Sequence, residues 1–505
     1  MIRTLLFLFA CLCTIGHLQA QDDEPVVPSE LSKEQILEDL DFLENKINAL
    51  SSYQGLNGYD WRAALKKYRE SLDSSKVASA QFGVFLSRLI GKLGDRHAGV
   101  RNLELPNSQF LPFVAAPLDG RVMALVLDRK TRTHQLRFPS YPYLKSINDT
   151  PIDAFLADIA PRDEKAPADA FFTRSVKQLK YMESNFYLKG KELPEEVRFT
   201  FTGSNGDTTV LMPLERKRRK HFTWQDEFYL FGARRKQLTD TATVRKQFRI
   251  DPDGIAYMQL SHMVYPEETP IFFQEFNSFL KRAKDSEALV VDVRSNGGGR
   301  RHLILELAKY LVHPDSIYVV NVARQRSDGP LNAEQKEDLH NRFLFAMDEL
   351  DAREQAAVKK FLTSFQPSYE LPDDRFGPMY FTVLNGQKLK KGAYHYDRPV
   401  YIMVNEYSFS AASVLAACFK GLPNVQLVGV TTDGSSGNSE GFFLPQSNYR
   451  IKLSTMVSFQ KDGRLLDGQG TVPDVVIRRN EEQIFWEKDH QWNRLREVIY
   501  EKIGR

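Results

Sequence analysis

From residue 254 the chain alternates short apolar runs with helix-like stretches, and this alternation limits the fold more than any other feature. Apolar runs at 254–260, 288–293, 317–322, 400–404 and 425–430 are separated by helical patterns at 271–283, 303–311 and 411–419. A strand that is apolar throughout has both faces covered, so these runs predict a largely parallel sheet with helices on both sides. The charged segment 331–362, with Glu334, Lys336, Glu337, Asp348 and Glu349, interrupts the alternation and reads as a helical insertion.

The preceding half is built differently. Over 25–105 the pattern is helical: Ser32-Lys33-Glu34-Gln35 resembles a helix start, and Leu37, Leu40, Leu43 and Ile47 follow at spacings of three and four. Further helices are expected at 59–72 and 78–93, the last stopped by Gly94. Over 111–214 short alternating strands take over, such as 121–127 and 197–201, with turns at Asn148-Asp149 and Ser204-Asn205-Gly206-Asp207 and a short helix near 152–159. A polar connector, 215–247, carries the run Arg216-Lys217-Arg218-Arg219-Lys220, which suits a solvated face. The pattern is therefore α/β and multi-domain: an N-terminal helical segment, a small strand and helix domain, an α/β domain at 248–482 and a C-terminal helix at 483–505. A chain of 505 residues exceeds what one core serves.

The first residues predict export. Arg3 precedes the apolar run Leu5 to Cys13, and Leu18-Gln19-Ala20 precedes Gln21-Asp22-Asp23-Glu24. A basic start, a short apolar stretch and a small residue before a polar segment describe a secretory signal peptide over 1–20. The run is shorter than the roughly 20 apolar residues of a membrane span. The destination expected is periplasmic or extracellular, in a bacterium. Cys11 and Cys13 would leave with the signal, and Cys418 alone cannot form a disulfide within the chain. A net charge of +3 over 68 basic and 65 acidic side chains predicts no nucleic-acid partner. No His or Cys cluster has metal-ligand spacing, and neither a metal nor another cofactor is expected.

Two segments carry chemistry. The strand at 288–293 ends in Asp292, Arg294 and Asn296 and opens into Gly297-Gly298-Gly299 before a helix. Consecutive glycines let backbone N–H groups approach an anion, but the spacings of phosphate-binding loops are not met. The loop is either an oxyanion hole or a structural turn. The second segment, Asn405-Glu406-Tyr407-Ser408-Phe409-Ser410-Ala411-Ala412-Ser413, delivers serines to a helix start. A hydroxyl there is a candidate nucleophile near the positive helix end; Ser408 is a candidate helix cap and Ser413 a packing residue.

These segments resemble a known family. Asp292 to Gly299 resembles the Asp-x-Arg-x-Asn-x-Gly-Gly motif of the carboxyl-terminal processing (tail-specific) and tricorn proteases. Asn405 to Ser413 is similar to that family's serine motif, in which the serine before Ala-Ala attacks. Gly429-Val430-Thr431-Thr432-Asp433-Gly434 and Gly470-Thr471-Val472-Pro473-Asp474 follow in the family's order, so the resemblance covers roughly residues 250–480. It implies a ClpP/crotonase-like catalytic domain, a serine peptidase with Ser410 as nucleophile, and an oxyanion hole from Gly298, with Gly297 beside it, and Ala411. Asp292, Arg294, Asn296 and Ser435 would support the site. The segment 111–214, with Leu144 to Ile152, looks like the family's PDZ-type module, which would hold a peptide or protein substrate, including one bound through its C-terminus. Ser435 stands where bacterial processing proteases have their lysine. Gly94-Asp95-Arg96-His97-Ala98-Gly99 resembles the Asp-x-His element of tricorn-like members, which implies His97 as base, with Asp467 in the position of the acidic partner. The rival reading is a non-catalytic peptide- or lipid-binding relative.

Overall fold

A computed structural model describes residues 25–73, 75–159, 167–216, 224, 238, 240–389 and 392–504. The apolar start of the chain, with Cys11 and Cys13, and most of the basic connector lie outside these residues.

A six-stranded sheet forms the centre, in the order Phe248–Ile250, Ile255–Gln259, Ala288–Asp292, Val400–Val404, Val425–Gly429 and Val475–Val476. The first pair is antiparallel and the others are parallel. Alternate side chains go to opposite faces. Leu289, Val291, Ile402 and Val404 pack with the helices Pro270–Arg282, His302–Leu311 and Ala411–Phe419. Val290, Tyr401 and Met403 pack with Leu495 and Ile499 of the helix His490–Ile503. Both faces are covered, which is why Ala288–Asp292 and Val400–Val404 are buried at every position.

One expected strand lies elsewhere. Ile317–Arg326 belongs to a four-stranded antiparallel sheet with Phe345–Ala346, Phe376–Asn385 and Met456–Gln460. An apolar run shows that a strand is buried but not which way its neighbours run. The segment 331–362 connects two strands of this sheet and contains the helices Ala333–His340 and Ala352–Leu362. It also gives the sheet its short edge strand, Phe345–Ala346.

The N-terminal helices are Lys33–Leu50, Trp61–Glu70 and Ser79–Lys92. Ser32 caps the first through a capping box with Gln35. Their apolar faces (Leu40, Leu43, Phe82, Leu86) close over Leu444, Tyr449, Ile451 and Leu453. Those partners sit on or beside the hairpin Ser439–Phe443 and Arg450–Ser454. The strand Gly99–Arg101 then pairs with Arg450–Ser454. The helical segment therefore completes its core with the α/β half of the chain.

Between these parts, Val114–Leu118, Arg121–Leu127, Tyr143–Ile147, Glu196–Gly203 and Gly206–Pro213 form an antiparallel sheet. Three helices accompany it: Ile152–Ile159, Ala168–Gln178 and Met182–Leu188.

Candidate active site

Ser410 stands where the chain turns from the strand Val400–Val404 into the helix Ala411–Phe419. Its backbone has φ 53° and ψ −125°, a strained conformation for a residue with a side chain. A strand-to-helix turn of this kind pushes a serine hydroxyl out above a sheet. Ser410 N–H donates to Ser435 Oγ at 2.8 Å, so Ser435 fixes the backbone of the turn. Ser408 does not cap the helix, as the sequence suggested. Its buried hydroxyl donates to the Val293 carbonyl and accepts from Asn405 N–H, stitching two parallel strands together. Ser413 pairs with Thr432 at 3.1 Å.

His97 comes from the far end of the chain. After the helix Ser79–Lys92, Gly94 takes φ 84°, and Asp95 Oδ1 accepts the N–H groups of His97 and Ala98 at 2.9 and 3.1 Å. The same carboxylate accepts the Ser454 N–H and hydroxyl. Thus held, His97 places Nε2 3.2 Å from Ser410 Oγ, with its ring centroid 4.7 Å from that of Phe409. Gly437 backs the ring: a Cβ there would lie 2.9 Å from both His97 Nδ1 and Ser454 Oγ. Burial lowers the His97 pKa below its ordinary value. Asp95 and Asp433 oppose that shift, while Lys452 and Arg342 add to it. The resulting neutral imidazole is a proton acceptor.

Asp467 is placed differently from the expectation that it faces His97. It is buried and accepts from Ser436 N–H, Ser436 Oγ and Ser458 N–H at 2.7, 2.6 and 2.8 Å. Its carboxylate is committed to the loop that carries Ser435 and Gly437. The carboxylate beside the histidine's own backbone is Asp95. A third carboxylate, the fully buried Asp433, takes hydrogen bonds from both Arg96 and Arg174. Sequence reasoning assigned no role to Asp433, Arg174 or Gly437. The Gly-x-x-Thr-x-Gly match contained Asp433, but no spacing rule pointed to two arginines from earlier segments.

The glycine loop lies against the serine. Gly298 has φ 89°, and a Cβ on it would come 2.5 Å from Ser410 Cβ and 3.0 Å from Ala411 N. Gly299, at φ 138°, is pressed on the Met263 carbonyl, which a Cβ would meet at 2.0 Å. Gly297 is exposed. The Gly298 N–H donates to Asn296 Oδ1 at 2.9 Å, so this expected oxyanion donor is engaged. Ala411 N–H lies in the first helical turn, where backbone donors have no intrahelical acceptor. Asn296 also donates to the Leu260 carbonyl and accepts Phe409 N–H, joining three segments.

Asp292 and Arg294 work below the site. Asp292 accepts from Arg294 and from Tyr257 OH, and Arg294 reaches on to Asp489 and Gln491. Both side chains are buried, and a buried pair is tolerable only when its remaining hydrogen-bonding groups are satisfied, as here.

Among the described residues, no three His, Cys, Asp or Glu side chains gather to hold a metal ion. No helix among them is long and apolar enough to cross a membrane.

Comparison with known proteins agrees with this architecture. A structure of mature CPAF complexed with lactacystin aligns with TM-score 0.62 at 16% identity, over 92% of this chain and 98% of that one. A crystal structure of mature CPAF aligns with TM-score 0.62 at 15% identity, over 92% and 96%. At such identities the likeness is one of fold. No curated protein matches the sequence. Residues 254–477 match the model of peptidase family S41, and the protein is a serine-type peptidase.

Proposed function

We propose that the protein is an exported peptidase that cleaves peptide bonds through an acyl-enzyme on Ser410, with His97 as general base. One observation carries this reading: a hydroxyl on a strained strand-to-helix turn, 3.2 Å from an imidazole whose neutral form burial favours. His97 Nε2 takes the Ser410 proton as Oγ adds to the peptide carbonyl carbon. The resulting oxyanion meets the N–H of Ala411 and, once it turns from Asn296, that of Gly298. Loss of one such donor typically lowers turnover by about 10²–10³. The imidazolium then protonates the leaving amine, and the ester is hydrolysed by a water that gives its proton to His97.

In this mechanism Ser435 holds the nucleophile's backbone, Asp467 holds the loop behind the imidazole, and Asp292, Arg294 and Asn296 hold the strand end and glycine loop. The segment 111–214 presents the peptide as an added strand, in the manner of a PDZ module. Export rests on the charged and apolar start of the chain. N-terminal sequencing of exported protein should find Gln21 or a residue near it, and Met1 would refute cleavage of a signal peptide over 1–20.

The experiment is fluorophosphonate labelling. Labelling of Ser410 in wild-type protein, lost in His97→Ala, is expected; labelling elsewhere or none refutes the mechanism. The rival reading, a peptide-binding protein that does not hydrolyse, draws on the engaged Gly298 N–H. It predicts peptide binding without labelling.

A further inference from the structure

A cavity of about 330 Å³ lies between the helix Ser79–Lys92 and the helices of the small sheet unit. Three arginines line it, Arg88, Arg96 and Arg174. The acidic side chain in its wall, Asp158, is paired with Lys189. Arg96 and Arg174 share a single carboxylate, Asp433, which has no exposed side-chain surface of its own. Arg174 is 40% exposed, and Arg88 donates to the Leu188 carbonyl rather than to a carboxylate. Among the described residues of its wall positive charge is therefore in excess, in a recess where low-dielectric walls strengthen its field.

The recess adjoins the reacting groups. Arg96 immediately precedes His97, and Phe409 immediately precedes Ser410. The Arg174 guanidinium sits 5.5 Å from the Phe409 ring, which also contacts His97. The Phe409 ring thus lies against both the Arg174 guanidinium of the cavity and the His97 imidazole. Guanidinium groups match carboxylates in shape and can bind them through two parallel hydrogen bonds.

We propose that this cavity is a substrate subsite that binds a carboxylate of the peptide being cleaved, close to the scissile bond. The carboxylate is that of an Asp or Glu side chain. The inference rests on the reading of Ser410 and His97 as the reacting pair, but it can be tested without hydrolysis.

Ser410→Ala protein is titrated by fluorescence polarisation with short fluorescein-labelled Ala/Gly peptides. Each carries one Glu, or Gln in its place, and has a free or an amidated C-terminus. The Glu peptides should bind about tenfold more tightly than the Gln peptides whichever terminus they carry, equivalent to about 1.4 kcal/mol. An acid–amide difference without a Glu–Gln difference would overturn the proposal. The preference should shrink with added salt and disappear in Arg88→Gln and Arg174→Gln. Arg88 is exposed and outside the Asp433 ion pairs, so its variant remains informative if Arg174→Gln fails to fold. Equal affinity for all four peptides, no binding of any, or a preference that survives Arg88→Gln would overturn the proposal. Failure of wild-type protein to cleave peptides that it binds would count instead against the Ser410 mechanism.

Discussion

Asp95 accepts hydrogen bonds from both the N–H and the hydroxyl of Ser454, at 2.6 and 2.7 Å, across 359 positions of the chain. Through this pair the loop that carries His97 is fastened to the hairpin beside the serine. Asp95→Ala should leave the buried Ser454 N–H unpaired, costing about 1–3 kcal/mol of stability. Turnover should fall about a hundredfold with little change in KM, because the imidazole loses its placement rather than the substrate its contacts. Steady-state kinetics beside a thermal melt would check this; full turnover in a folded variant would detach Asp95 from the site.

Ser410→Ala should abolish peptide hydrolysis with little effect on melting temperature. Ser408→Ala should do the reverse. It removes a buried hydroxyl bonded to Val293 and Asn405, at a cost of about 1 kcal/mol, and leaves the reacting atoms in place. Equal loss of activity in two normally folded variants would mean that the nucleophile is misassigned.

The pH dependence follows from the His97 environment. Burial, reinforced by Lys452 and Arg342, lowers its pKa, so kcat/KM should rise through a midpoint below the ordinary value of about 6.5. Lys452→Gln removes one opposing cation and should move that midpoint upward. The sign for stability is the same. The unfolded chain binds more protons than the native one, so this contribution is complete above about 6.5 and is lost as the pH falls through the lowered native pKa. A pH–rate profile and urea melts of wild type and His97→Ala would test both.

Gly437→Ala introduces a methyl group into space that His97 and Ser454 already fill. The backbone there needs no unusual φ, so the fold should tolerate the change while the ring is displaced. Activity should drop at least about tenfold, since small misplacements of reacting groups are costly. Unchanged kcat would show that the imidazole can shift freely.

Much of the architecture was legible in the sequence because periodicity reports burial directly. The strands Ala288–Asp292 and Val400–Val404 and the helix Ala411–Phe419 occupy the expected positions within a residue. The partners of Ile317–Arg326 were not legible, since strand direction is set by neighbours distant in sequence. At the site, motif order singled out Ser410 and His97, and the folded chain brings their side chains together. It could not foresee that Asn296 would engage the Gly298 N–H or that Asp467 would turn toward Ser436 and Ser458. Those outcomes depend on which of several possible hydrogen bonds the packed loops favour. Arg174 escaped notice for a related reason: its helix carries no motif, and its meaning comes only from lying over Asp433.

The bond of Arg294 to Asp489 has a consequence for the order of assembly. Arg294 is buried, and its bonds to Asp489 and Gln491 tie the strand end at Asp292 to the helix His490–Ile503. The His97 loop likewise waits for Ser454, and the turn at Ser410 waits for Ser435. Each of these groups has its partner later in the chain, so in synthesis from the N-terminus the full set of contacts can close only after residue 489 has emerged.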